Sequence, residues 1–174
     1  MSAGAERTAS WAAAVAALIA FAVGLGLPDL DQVVPLGHRS ALTHSLLLTL
    51  MLLGRVEWRP LAGGVGFGSG VHLSADAFPN AMVGYATIKL PLSGSIGAMP
   101  SYLWLVCNAL AALAIGALVL GQLFPRRIGL AVFAAIAVCA VAYLAATDGG
   151  WPPLGIGAGA GALWWRRQRS TTNV

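Results

Sequence analysis

Charge is scarce in this chain. Lys, Arg, Asp and Glu together make up 9% of its 174 residues, against about 25% in an ordinary soluble domain. So little charge cannot cover a water-exposed surface, which excludes a soluble globular enzyme and points to a membrane protein. Cysteine is equally scarce. Cys107 and Cys139 both fall inside apolar runs, which excludes a disulfide framework and a thiolate metal site and leaves them as small core residues. No small-residue cleavage site follows the first apolar run, so that run reads as a retained anchor and not as a signal peptide. Gly68-Ser69-Gly70 is no serine-nucleophile loop, because Phe67 precedes it and no general-base histidine follows on a later apolar run.

Apolar sequence fills the space that charge leaves. Runs at 10–27, 40–54, 61–78, 102–124, 128–147 and 151–165 approach the roughly 20 residues that cross a hydrocarbon core. The expected fold is all-α, a polytopic membrane bundle of about six transmembrane or partly embedded helices in one domain covering 1–174. The second run, with Ser40 as its N-cap, is short for a crossing. The third carries Gly63, Gly64, Gly66, Gly68 and Gly70, small residues that let helices approach closely. The last opens on Pro152-Pro153 and ends on Trp164-Trp165-Arg166-Arg167, an interfacial aromatic pair beside snorkelling cations. Its Gly155, Gly157, Gly159 and Gly161 form overlapping G-x-x-x-G pairs; packing inside one molecule is the first reading, a homo-oligomer the second.

The positive clusters Arg55/Arg59, Arg126/Arg127 and Arg166/Arg167/Arg169 follow the second, fourth and sixth runs. The positive-inside rule makes that side cytoplasmic, with both termini. These clusters set topology, and no nucleic-acid partner is expected. The opposite helix ends then converge outside. They carry Asp29 and Asp31 after the first run, His38 and His44 at the second, and His72 and Asp76 at the end of the third. All three histidines and three of the six acidic residues are thus brought to one face by an argument that used none of them.

Their spacing suits a metal. His72 and Asp76 in VHLSADAF are four apart and share one helical face. Asp29 and Asp31 in PDLD point the same way if the turn is extended. His38 and His44 differ by six residues, about 600° of helix rotation, so His38 lies in a loop or only one of the two is a ligand. Mixed O and N donors suit a divalent ion, Zn first and Mn or Fe next, and an ion offsets the cost of carboxylates near hydrocarbon. Used for hydrolysis, such an ion would acidify a water, with Asp76 or Asp31 as the candidate base. With no soluble domain, the substrate arrives laterally as a membrane lipid. Arg39, as a catalytic and substrate-binding fork, and Lys89, as a point charge, suit a phosphate on it.

PDLD, HRSALTHS, and GVHLSADAF followed by GYATIKLP, in order over residues 28–91, resemble the YdjM-like family of bacterial inner-membrane proteins, described as membrane-bound metal-dependent hydrolases. The resemblance implies a metal site drawn from Asp29, Asp31, His38, His44, His72 and Asp76, with Arg39, Thr43 and Ser45 beside it, in the bacterial cytoplasmic membrane. Ala77-Phe78-Pro79-Asn80 replaces a Thr-containing turn of the family pattern. The helices over 101–165 carry no part of it. Two other classes remain open: a small proton- or metal-coupled carrier using the same residues, and a noncatalytic scaffold held by its glycine pairs. The charge placement predicts that, in a cysteine-free background, cysteines at Gln32 and Gln122 label from opposite sides of the membrane, Gln32 from outside; outward labelling of Gln122 inverts the topology.

Overall fold

The computed structural model describes residues 3–33 and 38–171, with the side chains of 3–9 and 169–171 excluded. Both chain termini, expected on the cytoplasmic side, lie outside the described residues. The described chain is all-helical apart from one small hairpin: α1 (Ala3–Gly26), α2 (Leu47–Leu53), α3 (Arg59–Asp76), α4 (Ala98–Leu123), α5 (Arg126–Ala146) and α6 (Trp151–Thr171). Among these, α4 and α5 are long and apolar enough to cross a membrane, and the apolar part of α1 is shorter, Ser10–Gly26. The second apolar run forms much less helix than expected. Residues 38–46 are turns, and the seven residues of α2 rise only about 10 Å, too little to cross a bilayer.

The glycine-rich α3 is the central helix, buried almost continuously from Ala62 to Leu73. Its glycines face three neighbours. A Cβ on Gly64 would lie 2.8 Å from Ala20 Cβ and 2.9 Å from Phe21 N in α1, and one on Gly68 would lie 2.9 Å from Leu25 N. Towards α4, a Cβ on Gly70 would lie 2.8 Å from Leu113 N and one on Gly63 2.7 Å from the Leu120 side chain. Gly66 abuts Thr49 of α2. The rising pairs Gly64 with Ala17, Gly68 with Phe21 and His72 with Leu25 make α1 and α3 parallel. Gly63 with Leu120 and Gly70 with Leu113 make α4 antiparallel to α3. The C-terminal end of α5 returns beside His72 through Tyr143, so the ends of α1, α3 and α5 meet at one end of the bundle.

Between α3 and α4 the chain makes a 3-10 turn (Gly84–Ala86) and a two-stranded hairpin, β1 (Lys89–Leu90) and β2 (Gly94–Ser95), with Lys89 opposite Ser95. The expected connection 79–100 had no such element. Lys89 also bridges Ser40 in parallel, which ties the hairpin to the polar segment.

Small residues make up much of the buried helix surface, beside a few large ones such as Phe21, Leu105, Leu120 and Ile136, and many large apolar side chains point outward. On α1, Ala14, Ala17 and Ala20 are buried while Trp11, Val15, Ile19 and Val23 are exposed; α4 exposes Leu103, Leu110 and Leu118, and α5 exposes Leu130, Val138 and Val141. Backbones that approach through small residues while large apolar side chains point outward are the packing pattern of lipid-embedded helices. Cys107 and Cys139 are free and exposed on this outer surface, a correction to their expected core position, since inclusion in an apolar run does not set the direction of a side chain here. The α6 glycines are corrected in the same way: a Cβ on Gly155, Gly157, Gly159 or Gly161 meets nothing within 4 Å, so they pack against nothing described in this chain.

The packing gives a signed comparison. Gly to Ala in a helix is intrinsically favourable by about 1 kcal/mol, whereas forcing a methyl into rigid backbone costs about 1–3 kcal/mol. Gly64→Ala is expected to lower the midpoint of thermal unfolding in detergent and Gly157→Ala to leave it unchanged or raise it; equal effects contradict the close contact of α1 and α3.

Candidate metal centre

The segment after α1 makes a 3-10 turn (Pro28–Gln32) that buries Asp31 and leaves Asp29 half-exposed. Asp31 organises the polar turn through one oxygen: Oδ2 accepts from Ser40 N at 2.7 Å and from Thr43 Oγ1 at 2.9 Å, and lies 3.3 Å from His44 Nδ1. These bonds hold residues 40–44 in a turn and explain why the second helix starts only at Leu47. The carbonyl of His44 accepts from Trp104 Nε1 at 2.7 Å, and Leu46 N donates to Asn108 Oδ1 at 3.0 Å, fixing the turn to α4.

His44 is fully buried, and His72 and Asp76 approach it from the last turns of α3. Asp76 Oδ2 lies 3.1 Å from His44 Nε2 and 3.2 Å from His72 Nε2. The hydrogen-bond network assigns the tautomers. His72 Nδ1 is 2.8 Å from the Leu25 carbonyl, which only accepts, so Nδ1 carries the proton and Nε2 presents a lone pair. Thr43 donates to Asp31, so its oxygen, 3.1 Å from His44 Nδ1, accepts from that nitrogen and leaves His44 Nε2 bare. Three lone pairs therefore face one another. His44 Nε2, His72 Nε2 and Asp76 Oδ2 are all buried without a hydrogen-bond partner, a costly arrangement unless a cation or proton joins them.

Separations of 3.1 and 3.2 Å are within reach of an N–H···O hydrogen bond, so a shared proton satisfies the trio as a shared cation does. Ligand atoms about 2.05 Å from a tetrahedral ion stand about 3.3 Å apart, close to what is seen. The group His44, His72 and Asp76 can hold a metal ion. No family model, curated protein or solved structure matches the chain. The reading of the centre rests on its geometry.

The other expected ligands stand apart from this trio. Asp29 Oδ1 is 4.0 Å from His72 Nε2 and accepts from the Gln32 amide at 2.7 Å. Asp31 sits behind His44, the position of a carboxylate that orients a metal-binding imidazole. Its free Oδ1 faces His38 Nδ1 at 3.8 Å, both buried and unpartnered. His38 lies in a turn with its ring 5.9 Å from that of Tyr85. Burial pushes its imidazole below the usual value, against the pull of Asp31.

Both expected phosphate-binding cations have other partners. Arg39, at φ 59, occupies the left-handed region, which is uncommon for a non-glycine residue. Its carbonyl accepts from Lys89 N at 3.0 Å; its guanidinium donates to Asp76 Oδ1 at 2.8 Å and to the carbonyls of Ala86 at 2.7 Å and Asp76 at 3.2 Å. Lys89 Nζ donates to the carbonyls of His38, Tyr85 and Thr87 at 2.7, 2.9 and 3.0 Å, which uses all three of its protons. As placed, Lys89 has no donor left for a phosphate; it ties the hairpin to the polar turn. Burial, and then Arg39, pull its ammonium below the usual value.

Tyr143, whose hydroxyl is 2.9 Å from His72 Nδ1, was missed by sequence reasoning, as was the support from Trp104 and Asn108. Each is a polar group inside an apolar run, a signal that marks a contact but not its partner. His44→Ala, His72→Ala and Asp76→Ala are each expected to abolish stoichiometric metal in purified protein measured by plasma mass spectrometry, and Asp31→Asn to weaken affinity about 10–100-fold. Asp29→Asn should change it least; a larger loss for Asp29→Asn than for Asp31→Asn reverses the assignment.

Proposed function

We propose that the chain is a membrane-embedded, metal-dependent hydrolase of the YdjM-like kind that its motifs resemble, acting at the extracytoplasmic end of a six-helix bundle on a phosphate-containing lipid or lipid-linked substrate. The observation that carries this reading is the convergence of three unpartnered, buried donor atoms on His44, His72 and Asp76. Zn fits the donor set best, with Mn or Fe next.

A bound divalent ion supplies Lewis acidity and an acidified water. The surrounding residues have separable tasks. Asp76 serves as ligand and not as base, because Arg39 occupies Oδ1 and the two imidazoles face Oδ2. Proton acceptance falls to Asp31 Oδ1, the unpartnered carboxylate oxygen that lies outside the trio, with His38 beside it to relay the proton outward. Arg39 holds the charge of Asp76, and Lys89 holds the His38 carbonyl.

A lipid substrate is supported by the apolar exterior and by an apolar cavity of about 330 Å³ beside the C-terminal end of α3, lined by Ser74, Phe78, Leu110, Leu113, Leu144 and Ile156 among others. That volume suits part of an acyl chain. A carrier is less well supported, because the described ionisable clustering stays at one end of the bundle. Protein reconstituted in lipid vesicles is expected to release phosphorylated products from a bacterial lipid extract only with divalent metal, to stop on chelation and to recover when Zn or Mn is restored. Metal-independent turnover, or metal flux across the vesicle without turnover, contradicts the reading.

A further inference from the structure

A second cavity, of about 300 Å³, opens beside the metal centre. It is lined by Arg39, Asn80, Tyr85 and Asp148, with small apolar residues such as Ala75 and Ala86 between them. Its charges are of opposite sign. Arg39 is buried, binds the carboxylate that faces both imidazoles, and keeps Nε without a partner. Asp148 is exposed, in the α5–α6 turn, and forms no ion pair among the described residues.

The position of Asp148 is set by Gly149. Its φ is 78, and a Cβ there would lie 2.7 Å from the Phe78 carbonyl, so the turn is pressed against the C-terminal end of α3. That helix end carries partial negative charge, which adds to the carboxylate. Tyr85, 75% exposed, places an aromatic ring on the same wall, a surface that attracts ammonium groups. A purely anionic ligand would meet Asp148 without compensation, and a purely cationic one would meet Arg39.

We propose that this cavity binds an aminoalkyl phosphate, its phosphate towards Arg39 and the metal centre and its ammonium between Asp148 and Tyr85. Resting on the hydrolase reading, this narrows the substrate to a zwitterionic phosphate, carried as an ethanolamine-type lipid headgroup or as the free compound.

Calorimetric titration of the metal-loaded full chain in detergent tests it with four probes: phosphoethanolamine, glycerol 3-phosphate, phosphatidylethanolamine and phosphatidylglycerol. At least one aminated probe is expected to bind about tenfold more tightly than its amine-free counterpart. Preference in the lipid pair identifies a headgroup site, and preference confined to the soluble pair a site for the free compound. Asp148→Asn should erase the preference and Asp148→Glu restore part of it, with metal content unchanged in both. Equal affinities within both pairs, or a preference that survives Asp148→Asn, overturn the proposal. Because binding is read without turnover, a chain that holds metal and hydrolyses lipid but shows no amine preference sinks this inference alone, whereas a chain that holds no metal sinks the hydrolase reading.

Discussion

The polar end of the molecule hangs from the backbone contact between α1 and α3. Gly64 and Gly68 lie against the main chain of α1, and Gly24 lies against α3, where its Cβ would stand 2.6 Å from the Val65 carbonyl. One turn further along, the same contact becomes polar: Ser69 donates to the Gly24 carbonyl at 3.2 Å and His72 to the Leu25 carbonyl at 2.8 Å. The close approach of the two helices therefore selects the ring nitrogen of His72 that is left bare. Packing with small residues is the usual route to helix association where lipid removes the hydrophobic drive, and here it also aims a side chain.

Around that fixed imidazole, the remaining groups form a shell of compensations. Asp31 collects the polar turn and backs His44, Arg39 neutralises one oxygen of Asp76, and Lys89 gathers the carbonyls of His38, Tyr85 and Thr87. The left-handed backbone of Arg39 costs about 1–3 kcal/mol, and its bonds to Asp76, Ala86 and Lys89 supply the offset. Among the described residues, the buried side-chain atoms left unpaired are six, on Asp31, His38, Arg39, His44, His72 and Asp76. Unsatisfied groups concentrated so tightly surround the trio that could hold a metal ion.

Much of this was legible in the sequence. The i,i+4 spacing fixed His72 and Asp76 on one face, and the six-residue spacing kept His38 and His44 off a common helical face: His44 joins the trio and His38 stands in a turn beside Asp31. Five glycines in one run announced a helix with tight neighbours. Other features depend on partners distant in the chain. A Ser40 N-cap was expected to start a helix, but Ser40 N is taken by Asp31, nine residues earlier, and helix begins seven residues later. Lys89 reads as a free cation in GYATIKLP, yet three carbonyls surround it. The α6 glycines look identical in pattern to those of α3 and pack against nothing described, because a small-residue pattern specifies an opportunity for contact without specifying a neighbour. The Asp148 end of the second cavity was invisible for the same reason: Asp148 reaches it only through the turn that Gly149 presses onto α3.

The proposed hydrolase requires one divalent cation among His44 Nε2, His72 Nε2 and Asp76 Oδ2. Diffraction from crystals of the metal-loaded protein, collected on both sides of the zinc absorption edge, tests it most directly. A single anomalous peak about 2.0–2.2 Å from each of the three atoms is expected. An anomalous map with no peak there, and His44 and His72 instead hydrogen-bonded to Asp76 through protonated Nε2 atoms, would contradict it.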